Sequence, residues 1–202
     1  MGNPKFFQKT YYVKSSDITS VKTSRAGVIP YVAVNGNLHF LLGRDVQSGD
    51  LTDFGGGVKK GETAMRGAIR EFKEETHWIF DEQVYAEKNF EKSVAVTDYN
   101  YMTIFFVRIE DKWLTEANKR FYGNMRKAFE VDRIVWLHEN RFRKMIYYGE
   151  EQIWSKVRNF LCNVTGNLYY MLKAECNLNK YVPLYTGEFV SGVWGEKETP
   201  TF

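Results

Sequence analysis

The sequence predicts an α/β domain in which strands flank one well-marked helix, with further helix toward the C-terminus. Three observations carry this. Strand-like runs at 27–34 (GVIPYVAV) and 38–43 (LHFLLG) are joined by Asn35-Gly36-Asn37, and Asn-Gly is a strong hairpin signal because both residues tolerate the positive φ of a type I′ turn. A charged segment of helical period occupies about 62–76, after the triple glycine Gly55-Gly56-Gly57. Runs rich in β-formers follow at 101–109 (YMTIFFVRI) and 133–137 (RIVWL).

Residues 1–24 form an N-terminal extension without an apolar run of signal-peptide length. The Met1-Gly2 start lacks the Ser or Thr that a myristoylation signal carries at its sixth position, which here is Phe6. The hairpin opens the main unit, expected to span 25–148, and a polar loop at 44–50 leads to the glycines. On a helix advancing about 100° per residue, Ala64, Met65, Ala68, Ile69 and Phe72 gather on one face that must meet a core. The pattern changes after Glu139. Over 151–175 the apolar residues Ile153, Trp154, Val157, Phe160, Leu161, Val164, Leu168 and Met171 fall near helical spacing, which predicts helix with a break at Gly166. Residues 149–202 thus supply an extra C-terminal helix and a tail expected to pack on the same domain. The tail holds Pro183, Gly187, Gly192, Gly195 and Pro200, with Phe189, Val190, Val193 and Trp194 as its packing side chains.

Composition fits one globular domain. The 202 residues are 44% apolar and 26% charged, with four prolines, which excludes extensive disorder, collagen-like repeats and long Pro-rich linkers. Two cysteines, Cys162 and Cys176, are too few for a disulfide framework and lack zinc-site spacing. No stretch approaches the roughly 20 apolar residues of a membrane helix, so a soluble, cytoplasmic protein is expected. The formal charge is +3, and 15 Phe, 13 Tyr and 5 Trp must fill a core or stack flat ligands.

The chemistry concentrates at 56–78, GGVKKGETAMRGAIREFKEETHW. Glu71, Glu74 and Glu75 stand at i, i+3 and i+4 and share one patch beside the apolar face. A solvated acidic face is the simplest alternative, but such faces usually intersperse opposite charges, whereas Lys73 points away from this patch. Like charges so placed call for a cation, and Mg²⁺ suits them because it takes oxygen ligands and keeps waters that a phosphate can displace. Arg70, four residues before Glu74, can hold part of the cluster. Glycines ahead of the helix let backbone groups approach a metal or phosphate, and Glu62 lies near the helix start, where negative charge is favoured.

This spacing resembles the Nudix box. Gly56 is followed by five residues, Glu62, seven residues and then Arg70-Glu71-Phe72-Lys73-Glu74-Glu75-Thr76-His77-Trp78. One fixed position departs from the pattern: His77 stands where the family has the Gly that ends the helix, so it must accept left-handed strain or end the helix differently. The resemblance covers about 24–137. It implies a mixed β-sheet sandwiched between α-helices and hydrolysis of the diphosphate bond of a nucleoside diphosphate linked to another moiety, such as a nucleotide sugar, a dinucleoside polyphosphate or an NTP. It further implies Mg²⁺, or Mn²⁺ in its place, on Glu71, Glu74, Glu75 and the Gly56 carbonyl, with Arg70 orienting a glutamate and Glu62 supporting the loop. Arg44, Phe54, Gly55 and Gly57 are the expected substrate contacts. The family's general base varies and can come from a later loop, which makes Glu116 and Glu130 candidates, although both read more simply as surface acids.

Other signals are weaker. Asp53-Phe54-Gly55 spells a kinase triplet without the other kinase motifs, and Asp53 is expected to close the substrate loop. His39, His77 and His138 are far apart in sequence and lack metal-ligand spacing. Tyr99, Tyr101 and Phe105 read as core or as a base-stacking surface. Between 119 and 144, eight basic residues (Lys119, Arg120, Arg126, Lys127, Arg133, Arg141, Arg143, Lys144) face three acidic ones, interleaved with Phe121, Tyr122, Phe129 and Phe142. That segment suggests either a polyphosphate pocket wall or an RNA surface, and with the latter an mRNA-decapping activity. A non-catalytic nucleotide- or RNA-binding module of the same fold is the reading outside enzymology.

Overall fold

The computed structural model describes residues 11–14, 23–98, 101–124, 130–149, 152–162 and 165–177. Among these, eight strands form one mixed sheet. They are β1 (Tyr11–Lys14), β2 (Arg25–Val34), β3 (Asn37–Asp45), β4 (Leu51–Thr52), β5 (Phe54–Gly57), β6 (Val94–Asp98), β7 (Met102–Arg108) and β8 (Val131–His138). Seven helices accompany them: α1 (Ala64–Glu75), α2 (Glu82–Tyr85), α3 (Glu87–Glu91), α4 (Trp113–Asn124), α5 (Glu139–Tyr148), α6 (Ser155–Leu161) and α7 (Thr165–Glu175). The expected α/β class, with a mixed sheet between helices, is the observed one.

The β2–β3 hairpin turns at Asn35 (φ 50°) and Gly36 (φ 80°), the left-handed pair that a type I′ turn requires. β2 and β3 pair only from Tyr31↔Phe40 to Val34↔Asn37 and then splay. The chain from Leu51 to Gly57 fills the gap: β4 pairs with β3 through Thr52 and Leu51, and β5 pairs with β2 from Val28↔Phe54 to Arg25↔Gly57. Asp53 is the crossing point between the two. On its other edge β2 runs parallel to β7, the one parallel pairing among otherwise antiparallel ladders.

Strand alternation sends side chains to two cores. Val28, Val32, Leu41, Phe54, Phe105 and Val107 meet α1 and α4 through Phe72, Trp113 and Phe121. Ile29, Phe40, Leu42, Ile104 and Phe106 meet α5, α6 and α7 through Phe142, Val157 and Leu172. Among the described residues most of the aromatic side chains are therefore packing. Phe40 stacks on Phe142 at 4.4 Å, and Phe72 touches Phe54, Phe80 and Tyr85 at 5.1–5.7 Å.

Several expectations are corrected. The C-terminal helix is two helices, and it breaks before Thr165 rather than at Gly166, which lies inside α7. β1, β4, β5, β6, α2, α3, α4 and α5 were not legible as elements. Glu139 begins α5, and its buried carboxylate accepts from Leu38 N (2.9 Å) and pairs with Lys173 (2.8 Å). The basic segment does not make one surface, because α4 and α5 pack on opposite faces of the sheet and their Phe121 and Phe142 are fully buried. Phe105 is likewise core. His39 and His138, distant in sequence, are cross-strand partners with ring centroids 5.1 Å apart. Tyr99, Arg126, Lys127, Phe129 and the tail from 178 onward lie outside the described residues.

Candidate active site

The site is built where α1 lies over β5. Thr63 caps α1 by accepting from Arg66 N (3.2 Å), satisfying a backbone donor the helix leaves open. Ala64, Ala68 and Phe72 are buried against the sheet, so the next face of the helix, with Glu71, Glu74 and Glu75, is turned toward the glycine strand.

The helix ends by a Schellman motif. Trp78 N donates to Lys73 O (3.0 Å) and His77 N to Glu74 O (3.2 Å), with His77 left-handed at φ 55°. His77 thus takes the conformation glycine would take. Its ring stacks on Phe121 at 4.6 Å, 16° from parallel, a contact that offsets part of the strain. Thr76 Oγ1 donates to Phe72 O and lies 2.9 Å from Tyr85 Oη, which fixes this end of α1 to α2.

Arg70 is the hub of the carboxylates. Its Nε donates to Glu62 Oε1 (3.0 Å), Nη1 to Glu71 Oε1 (2.6 Å) and Glu74 Oε2 (3.4 Å), and Nη2 to Gly57 O (2.9 Å) and Glu62 Oε2 (3.1 Å). The Arg70 bonds hold the Glu62 carboxyl below the usual carboxylate range. Gly56 is required by close approach: a Cβ there would lie 2.5 Å from Glu71 Oε1 and 2.6 Å from its Cδ, so the Glu71 carboxylate occupies the space a side chain would take.

Behind this lies a second acidic layer. Glu75 Oε2 accepts from Gly55 N (2.8 Å). Burial first, and the neighbouring Asp53 carboxylate next, push the Glu75 carboxyl well above its ordinary value, while Arg25 opposes them. Asp53 is fully buried and bound by Arg25 through two prongs (2.7 and 2.8 Å). A Cβ on Gly27 would lie 1.9 Å from Asp53 Oδ2. Five carboxylates, those of Asp53, Glu62, Glu71, Glu74 and Glu75, share this region with the two guanidinium groups of Arg25 and Arg70, an excess of negative charge.

Among the described residues no three His, Cys, Asp or Glu side chains converge as a finished metal cage. Arg70 donates to Glu71 Oε1 and reaches Glu74, while Glu75 is held by backbone. The donors nevertheless suit a hard divalent cation, since all are oxygens of the kind Mg²⁺ selects, and the Gly56 cradle leaves Glu71 room beside the backbone.

The other expected residues fare unevenly. Gly55 and Gly57 lie in β5, the first bonded to Glu75 and Arg25 and the second to Arg70. Phe54 is no substrate contact, because its ring is fully buried against Phe72. Arg44 is bound in a two-pronged pair by Asp132 of β8 (Nε to Oδ1 2.8 Å) and makes no hydrogen bond to the box. Asp53 does not close a loop but anchors a buried ion pair. Glu116 pairs with Arg120 (3.2 Å) on α4, and Glu130 sits at the start of β8, where its carbonyl accepts from Val46 N. Arg25 and Asp53 were missed as partners, having no signal in local spacing. A groove of about 370 Å³ runs along α1, lined by Arg66, Arg70, Lys73, Glu74 and the exposed Trp78 among others.

No protein-family model matches the chain, and no curated protein matches it. Solved structures that align with it include the C. elegans Ap4A hydrolase in a binary complex, 19% identical over 74% of this chain and 99% of that one, with a TM-score of 0.45. A Nudix hydrolase from M. smegmatis, RenU, is 12% identical over 75% of this chain and 87% of its own, with a TM-score of 0.42. A MutT/Nudix family protein from Enterococcus faecalis is 15% identical over 58% and 44%, with a TM-score of 0.39.

Proposed function

We propose that the chain is a Nudix hydrolase, a divalent-metal-dependent enzyme that cleaves the phosphoanhydride of a nucleoside diphosphate linked to another moiety. The observation that carries this reading is the Gly56–Glu71–Arg70 arrangement: residues of the glycine strand and of α1 meet so that one arginine holds Glu62, Glu71 and Glu74, with Glu71 in the space that Gly56 leaves free. Glu71, Glu74, Glu75 and the Gly56 carbonyl would hold Mg²⁺ or Mn²⁺. When bound, such a cation activates water and neutralises charge on a diphosphate.

The chain's own residues account for the rest. Arg70 keeps the carboxylates together against mutual repulsion and fixes the turn between β5 and α1 through Gly57 O. Gly55 N–H orients Glu75. Arg66 and Lys73 in the groove along α1 offer positive charge to a polyphosphate, and Trp78 offers a ring for a base. A small nucleotide derivative is favoured over capped RNA because the basic segment is divided between two faces of the sheet. The intact carboxylates favour an enzyme over a binding module.

The test is turnover of a panel of ADP-ribose, nucleoside triphosphates, dinucleoside polyphosphates and capped RNA with Mg²⁺, alongside Glu74→Gln. At least one small phosphoanhydride is expected to be cleaved, with the variant at least about 100-fold slower. Turnover of none, or full activity in the variant, overturns the reading.

A further inference from the structure

We propose that Arg25 and Asp53 are a positioning pair for the metal-binding carboxylates, and that the segment 152–154 fastens this pair from outside through the Trp154 ring. The inference rests on the reading that Glu71, Glu74 and Glu75 hold a divalent metal.

One residue, Gly55, carries two linked contacts. Arg25 Nη2 donates to Gly55 O (3.0 Å), and Gly55 N donates to Glu75 Oε2 (2.8 Å). The same residue is thus gripped on its carbonyl by the guanidinium and grips Glu75 with its amide. The two contacts sit on adjoining peptide planes that share the Gly55 Cα, so displacing Gly55 as a whole disturbs both.

The guanidinium is itself fixed on three sides. Asp53 takes two of its donors, and Thr52 Oγ1 donates to Asp53 Oδ1 (3.0 Å), so the acceptor is also held. The Trp154 ring lies against the guanidinium, 4.8 Å from Cζ to centroid, close enough for a cation–π contact. Trp154 is placed by an isolated parallel bridge: Leu51 N donates to Gln152 O (3.0 Å), Trp154 N donates to Leu51 O (2.9 Å), and Leu51 bridges Ile153. The stretch from Leu51 to Gly55 is therefore clamped at one end by 152–154 and at the other by Arg25.

A pair serving stability alone has little reason to be ionic here. Buried ion pairs are often matched or bettered in stability by apolar side chains of similar volume. This pair stands directly behind an acidic cluster, at the crossing between β4 and β5, and its guanidinium binds the carbonyl of the residue whose amide holds Glu75. Outer partners that orient metal ligands typically change metal affinity about 10–100-fold when lost.

Direct Mn²⁺ titration by electron paramagnetic resonance, with thermal melts of each protein, separates the outcomes. Arg25→Lys keeps the charge but loses the fork, and it is expected to weaken Mn²⁺ binding about 10-fold or more while still melting cooperatively. Should Arg25→Lys fail to fold, the double variant Arg25→Met with Asp53→Leu, apolar in both places, gives the same reading. Trp154→Ala is expected to weaken Mn²⁺ binding and Trp154→Phe to restore it. If the wild type binds Mn²⁺, Glu75→Gln weakens it, and the folded Arg25 variant binds within 2-fold of wild type, the positioning role is overturned while the metal reading stands. A wild type that binds no Mn²⁺ overturns the metal reading and the inference with it.

Discussion

Two glycine-to-alanine substitutions in adjacent strands are expected to fail in different ways. At Gly56 the added Cβ would sit 2.5 Å from Glu71 Oε1, and ordinary contact requires the carboxylate to withdraw by about 1 Å. It can do so, being the end of a flexible side chain. Withdrawal loosens its 2.6 Å bond from Arg70, a loss of about 1.5–3 kcal/mol for a charged pair, and a stiffer unfolded chain returns about 0.4–1 kcal/mol. Gly56→Ala should therefore cost about 1–2 kcal/mol, a fall in Tm of about 2–8 °C for a chain of this size. A metal ligand displaced by about 1 Å loses roughly 100-fold in turnover.

At Gly27 the Cβ meets Asp53 Oδ2 at 1.9 Å and Phe54 O at 2.9 Å, a buried ion pair and a strand backbone, neither of which can step aside. Disrupting such a pair costs about 3–5 kcal/mol. Thermal melts, Mn²⁺ titration and steady-state hydrolysis on both variants decide the matter. A Gly56→Ala variant that keeps metal affinity within 2-fold and turnover within 3-fold, or that is destabilised as much as Gly27→Ala, would contradict the displacement of Glu71.

Two further outcomes are expected. His77→Gly relieves a left-handed φ of 55° but loses the ring on Phe121, two effects of about 1 kcal/mol each and opposite sign, so its urea midpoint should stay near wild type. His77→Ala keeps the strain without the ring and should fall below it, and an alanine variant as stable as the glycine one would contradict the account. Glu75→Gln should stabilise the metal-free protein at pH 7.5. The folded-state carboxyl is raised above its ordinary value of 4.5, so its contribution to stability is fully present below that value and lost as pH rises through the folded one. Urea unfolding in chelator should show the gain at pH 7.5 and its disappearance near pH 4, and a variant less stable than wild type at pH 7.5 would reverse the sign.

Legibility followed the range of the interactions. The hairpin was readable because its turn chemistry lies in two adjacent residues, and the span and faces of α1 because helical period is local. The glycine strand was not, since three glycines have no strand propensity and β5 forms only because β2 and β3 splay. Phe54 looked like a ligand contact from its place beside the box, yet the pleat of β5 sends it into the core. The basic segment looked continuous along the chain, but β8 lies between α4 and α5 and delivers them to opposite faces.

Helical geometry and spacing are properties of a short stretch, so the carboxylates of α1, their common face, the arginine among them and the glycine ahead of them were legible in the chain alone. What supports those carboxylates beyond Arg70 came from the tertiary fold. Arg25 and Asp53 are 28 residues apart, Gly55 and Glu75 are 20 apart, and Trp154 comes from beyond the sheet. A hydrogen bond between such residues leaves no periodic trace in the chain, since it depends on where strands cross and not on the residues between them.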